Sequence, residues 1–235
     1  MAWENPGLQT AAPAVSSVLV QESQRAFMSR VYGWMFAGLM VTGITALFTV
    51  ANRPLLEFAV AWRFPLLLAE LGLVVALSFL APRLSGPVAA MLFLGYSALT
   101  GMTLSIFFLI YTAGSIGQAF LLTAGVFGAL SLYGTFTKKN LSAWGSFLFM
   151  GLIGVVLASV VNLFMRSDGL SFVVSCASVV VFAGLTAYDT QKLREMHAST
   201  GYSSAATVSI QGALTLYLDL INLFIALLRL FGQRH

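Results

Sequence analysis

Apolar residues arrive in continuous blocks about 20 residues long, separated by short clusters of Pro, Gly, Asn, Ser and charge. The extreme case runs from Leu84 to Thr137, where 54 residues pass without one Asp, Glu, Lys or Arg. Helices and strands of a water-soluble core carry a polar face, so they do not produce such a run. A helix of about 20 apolar residues crosses the hydrocarbon layer, and the pattern predicts seven spans, about 27–50, 64–81, 87–110, 116–137, 143–165, 170–190 and 207–231. Asn52-Arg53-Pro54 ends the first, and the Ala81–Pro87 segment ends the second. Thr112-Ala113-Gly114-Ser115-Ile116-Gly117 divides the uncharged stretch. Lys138-Lys139-Asn140 and Arg166-Ser167-Asp168-Gly169 close the fourth and fifth, and the sixth is expected to fray through Lys192–His197. An outer-membrane barrel would alternate polar and apolar positions over about 10 residues, which these blocks do not. The fold class is therefore an all-α integral membrane protein with seven transmembrane helices, and the bilayer is its first partner.

Composition agrees. Of 235 residues, 59% are hydrophobic and 9% charged, against about 25% charged in soluble domains; mean hydropathy is +0.90. A single cysteine, Cys176, excludes an internal disulfide framework and a thiolate metal cluster. The net charge of +4 comes from twelve basic residues scattered singly between apolar runs. They read as orientation signals, and no nucleic-acid partner is expected. Residues 1–24 are polar, with little periodicity and no cleavable signal pattern; they are expected to form a disordered cytosolic tail ahead of a transmembrane domain, 25–235. With the N-terminus inside, seven basic residues fall on cytosolic segments and five outside, the Lys138-Lys139 doublet weighing most.

Small residues recur at helical spacing: Gly95, Ala98, Gly101 and Ser105; Gly117, Leu121 and Gly125; Gly154, Ala158 and Asn162. Such stripes let helix backbones approach closely in lipid, and packing is the expected use of all three.

Three acidic residues fall inside spans: Glu70, Asp189 and Asp219. A carboxylate at the bilayer centre costs about 2.5–3.5 kcal/mol on insertion scales, so it faces a cavity or a partner. At 100° per residue, Gln211, Thr215, Asp219 and Asn222 fall within an arc of about 80° on the last helix. On the sixth, Ser171, Ser175, Ser178, Thr186 and Asp189 form a second polar face able to meet the first. An ordinary alternative for Asp189 is a helix-end carboxylate answering Lys192 or Arg194. Glu70 lies near the outer end of its span, where it can snorkel or pair with Arg63. If Asp189 and Asp219 approach, they cannot both stay ionised cheaply and will titrate as a unit. Loss of the shared proton leaves adjacent negative charges that repel each other or attract a cation. Hard divalent cations such as Ca²⁺ take oxygen ligands, but two carboxylates suit transit better than storage. The two histidines, His197 and His235, lie outside the spans, against a transition-metal route. No bound cofactor is expected.

The runs Ala187-Tyr188-Asp189-Thr190-Gln191 and Leu216-Tyr217-Leu218-Asp219-Leu220-Ile221-Asn222-Leu223-Phe224 resemble motifs of the Bax inhibitor-1 family. Gly86-Pro87, Gly101-Met102-Thr103-Leu104-Ser105 and Thr137-Lys138-Lys139-Asn140-Leu141-Ser142 also fit, and the likeness covers the chain after residue 20. The resemblance implies a central last helix wrapped by two three-helix layers. It implies a pH-sensitive calcium leak in which Asp189 and Asp219 form a hydrogen-bonded pair, acting as pH sensor, gate and transient Ca²⁺ ligands. Glu70, Gln211, Thr215, Asn222, Ser178 and Thr186 then line the polar route, and Glu70 matches an acidic position of the family's second helix. Prokaryotic relatives latch the helix-six aspartate with a basic residue after helix two; here that place falls on Ala81, leaving Arg83 as the candidate gate cation. The end of the chain, Phe231-Gly232-Gln233-Arg234-His235, lacks the basic tail of animal and plant members and favours a bacterial inner-membrane protein.

Family membership carries a second expectation, an interaction protein that regulates a membrane protease or a stress response, with residues 1–24 as the handle. An enzyme is the third. Intramembrane aspartyl proteases also carry aspartates on helices six and seven, but they need Gly-x-Gly-Asp where this chain has Leu216-Tyr217-Leu218-Asp219. The expectation is no enzyme.

Overall fold

A computed structural model describes the backbone of residues 6–80, 84–199 and 205–235, with side chains over 23–79, 84–196 and 207–235. The described residues form helices α1 (Pro6–Ala51), α2 (Arg53–Ala61), α3 (Arg63–Leu80), α4 (Gly86–Leu104), α5 (Ala113–Phe136), α6 (Ser142–Met165), α7 (Asp168–Ser199) and α8 (Ala205–Phe231), with a 3₁₀ turn at Ser105–Leu109. Six stretches are long and apolar enough to cross a membrane: Ser23–Ala51, Gly86–Leu109, Ala113–Phe136, Ser142–Met165, Asp168–Met196 and Thr207–Phe231. The α2–α3 pair, bent by 78°, makes a seventh if taken as one span. The chain is therefore an all-helical integral membrane protein.

Three boundaries differ from the expectation. Asn52-Arg53-Pro54 does end α1, but Pro54 then sits in the first turn of α2, where its missing N–H costs nothing. A loop was expected over these residues; a nine-residue helix occupies them. The sixth span does not fray at Lys192, because α7 continues as helix to Ser199. The backbone of α1 is already helical from Pro6, within the segment read as an unstructured tail.

The last helix is the most enclosed. Over its most apolar window α8 is 61% buried, against 6% for α6. It packs on α1, α4, α5 and α7, whereas α6 leans on α7 and α3 on α4. Leu216, Tyr217, Leu223 and Leu228 of α8 are sealed from solvent. The Tyr217 hydroxyl shares a 2.7 Å hydrogen bond with Thr42 of α1, and its ring meets Phe93 and Tyr96 of α4 edge-on. At the far end the chain folds back on the α4–α5 break, with Thr112 N–H on Gln233 O and His235 N–H on Ile110 O.

Close helix approaches use other glycines than the striped ones. A Cβ on Gly95, Gly117, Gly125 or Gly154 would meet nothing within 4 Å, so those positions lie on open faces. Of the striped glycines, Gly101 alone is a true contact, against the Thr42 carbonyl of α1. Asn162 is not a packing residue. Its side chain accepts from Ser167 N–H and donates to Ser171, closing the α6–α7 turn at left-handed Arg166.

Candidate functional site

The seam between α7 and α8 holds the two aspartates, and the residues flanking each explain why they stand still. On α7, Gly134 of α5 lies directly under the Ala187 carbonyl, where any Cβ would collide. Tyr188 covers Gly145 of α6; a Cβ there would lie 2.6 Å from the ring. Thr190 bonds Ser131 of α5 at 3.2 Å, and Ser131 in turn bonds Tyr32 of α1. The Gln191 side chain accepts from Leu141 N–H at 2.8 Å and donates to Lys139 O at 2.9 Å, pinning the α5–α6 loop. Four of the five residues of Ala187–Gln191 thus fix α7 in place, and the fifth, Asp189, is held between them. On α8, Tyr217 plays the same part for Asp219 from the opposite face.

Both carboxyl groups line one cavity of about 550 Å³, walled by α3, α6, α7 and α8. Tyr188, Lys192, Thr215, Ser146 and Asn222 share its wall. Asp189 and Asp219 face this cavity from adjacent helices, α7 and α8. Asp219 is 4% exposed, and its Oδ2 is buried without a hydrogen-bond partner among the described N–H and hydroxyl groups. Two carboxylates have only acceptors, so a hydrogen bond between them needs one proton held by the pair. Lys192 stands one turn below with its Nζ 5.5 Å from the Tyr188 ring centre, and it makes no ion pair among the described residues. Arg194 instead donates to the Thr135 carbonyl of α5. Asp189 thus shares its cavity wall with Asp219 of α8 and with Lys192 of its own helix.

The other predicted residues divide. Thr215 and Asn222 reach this cavity. Ser178 faces a second one, together with Asn222. Thr186 does not line a route: it is fully buried and donates to the Phe182 carbonyl. Gln211 lies off the cavity and donates to the Ser78 carbonyl of α3 at 3.3 Å. Glu70 is apart from the aspartates, since Thr103 of α4 donates to it at 2.5 Å. Its expected partner Arg63 turns to the Val60 carbonyl and the Phe64 ring instead. Arg83 and Ala81 lie outside the described residues. Tyr188 is a cavity residue given no role in the sequence, and Lys192 was weighed only as a helix-end partner of Asp189; Leu185, Tyr188 and Lys192 follow at spacings of three and four, which puts them on one face and was a usable signal.

A bundle of apolar helices around a cavity that two carboxyl groups line defines a polytopic membrane protein. The chain belongs to the Bax inhibitor-1 family: the family model described as "Inhibitor of apoptosis-promoting Bax1" matches residues 24–235. Inner membrane protein YbhL of Escherichia coli is 50% identical over 214 residues, covering 88% of this chain and 92% of that protein. A protein of Deinococcus radiodurans is 47% identical, covering 89% and 91%. Protein RP147 of Rickettsia prowazekii is 43% identical, covering 91% and 92%.

Proposed function

We propose that the chain is a pH-sensitive calcium-leak channel of a bacterial inner membrane, gated by the protonation of Asp189 and Asp219. The observation that carries this reading is that two carboxyl groups, from two different spans, line the wall of one cavity. A shared proton ties α7 to α8. Removing it leaves two like charges in a place with few donors, which must separate or be met by a cation. Two carboxyl groups are too few for a tight calcium site, so Ca²⁺ is a passing substrate with Asp189 and Asp219 as transient ligands. An N-terminus in the cytosol follows from the basic-residue bias, and the inner membrane from the likeness to YbhL.

A proteolytic role is disfavoured by packing as well as by motif. Leu216 and Tyr217, which precede the second aspartate, are fully buried against other helices and leave no approach for a peptide backbone. Calcium flux into liposomes carrying purified protein, read from about pH 5.5 to 8, tests the proposal. Flux that varies with pH in the wild type and loses that dependence in Asp189→Asn and in Asp219→Asn is the expected result. Folded protein with no flux above empty liposomes at any pH would overturn it, and would move the reading to a membrane partner that regulates a protease or stress response.

A further inference from the structure

A second cavity of about 340 Å³ lies between α6, α7 and α8, on the side of Asn222 away from Asp189. Its wall carries Ser159, Ser175, Ser178, Asn222 and Arg229 among aliphatic side chains. Two residues, Phe182 and Asn222, belong to the walls of both cavities. From Asp219 to Arg229 the helix rises about 15 Å, so the two cavities together run from mid-span to the end of α8.

The hydrogen bonds of the wall decide what it can receive. Ser159 donates to Val155 O, Ser175 to Ser171 O and Ser178 to Val174 O, at 2.7, 2.8 and 2.7 Å. The Asn222 amide donates to Leu218 O at 2.8 Å. Each serine hydroxyl has one proton and has committed it to its own helix, so its oxygen is left as an acceptor; Asn222 keeps its Oδ1. Away from Arg229 the wall offers acceptor oxygens and no free hydroxyl proton, which suits a cation or water. Arg229, in the last turn of α8, puts a positive charge at its end and makes no ion pair among the described residues.

We propose that this serine-lined cavity is the continuation of the ion route, and that Phe182 and Asn222 form the constriction separating it from the acidic cavity. The inference rests on the leak-channel reading and deepens it. A cation leaving the aspartates meets Asn222 Oδ1, passes the Phe182 ring, and is then held by the serine oxygens. Arg229 at the exit repels cations and keeps the leak slow. An apolar ring at a narrow point closes a water path by excluding water, so Phe182 limits passage even when the aspartates have released their proton.

Two measurements test this, one of them independent of calcium. In a Cys176→Ala background, Ser159→Cys and Ser178→Cys are exposed in membranes to a small cationic methanethiosulfonate, with Val180→Cys, on the lipid face at 68% exposure, as the control. Labelling at both serine positions and not at the control is expected. No labelling at either overturns the route, since it means a dry or lipid-filled crevice. In the liposome assay, Phe182→Ala and the milder Phe182→Leu should raise calcium flux by about three-fold or more, and Arg229→Gln should raise it as well. If wild-type flux loses its pH dependence in Asp219→Asn but is indifferent to Phe182 and Arg229, the leak-channel reading stands and this route is wrong. If the wild type carries no flux, both fall.

Discussion

Glu70 and Asp219 are both carboxylic acids carried inside apolar helices, yet the protein houses them in opposite ways. Glu70 sits alone on α3, with a Thr103 hydroxyl donating to it. Asp219 is buried at the centre of the bundle, has one oxygen that no described donor reaches, and shares a cavity wall with a second carboxyl group. A lone acid with a donor is a packing contact between two helices. Two acids on one cavity wall, one with an oxygen that no described donor reaches, favour a shared proton, and a proton can leave. The difference lies in the surroundings, not in the residue type, and on the proposed reading it separates an anchor from a switch.

Four experiments break or sharpen that contrast. The largest effect is expected at the switch: Asp219→Asn or Asp189→Asn should collapse a pH-dependent flux to a variation within about two-fold across the range, while Glu70→Gln leaves the dependence in place. A pH profile flattened by Glu70→Gln as well would erase the distinction. Next comes the frame that holds Asp189. Gly134→Val drives a side chain into the Ala187 carbonyl and should cost about 1–3 kcal/mol or more of stability, read as thermal unfolding in detergent. Gly125→Val, with nothing within 4 Å, should stay within about 0.5 kcal/mol. At the anchor, Thr103→Val removes the one donor to Glu70 and should cost about 1.5–3 kcal/mol without moving the pH midpoint of flux. The smallest effect is expected at Lys192, whose positive charge favours an ionised pair nearby. Lys192→Gln should move the flux midpoint to higher pH by less than about one unit, whichever side of it conducts; a shift to lower pH would contradict the arrangement.

The sequence carried the spans and the azimuth of the polar stripe, because both depend on periodicity within one helix. Asp189, Asp219, Thr215 and Asn222 were all legible for that reason. What a helical wheel does not contain is the neighbour. Thr186 shares the polar face of α7 but is sealed against its own backbone, and Glu70 found a threonine 33 residues away where an arginine seven residues away was nearer in sequence. The glycine stripes failed in the same manner: regular spacing marks a smooth face without saying that a helix lies on it. Gly134 and Gly145, two of the glycines in true contact, are recognisable only once the opposing Ala187 and Tyr188 are known. The α2 helix was missed although its signal was present, an Asn followed by Pro in the first turn.

The central claim is that one proton is shared by two aspartates. Infrared difference spectra of the protein in lipid, taken between about pH 5.5 and 8, report the protonated carboxyl band directly. The account expects a titrating band in the wild type that disappears in Asp189→Asn and in Asp219→Asn alike, because a shared proton needs both partners. A band that survives unchanged in Asp189→Asn would show that Asp219 holds its proton alone, and the paired gate would be wrong.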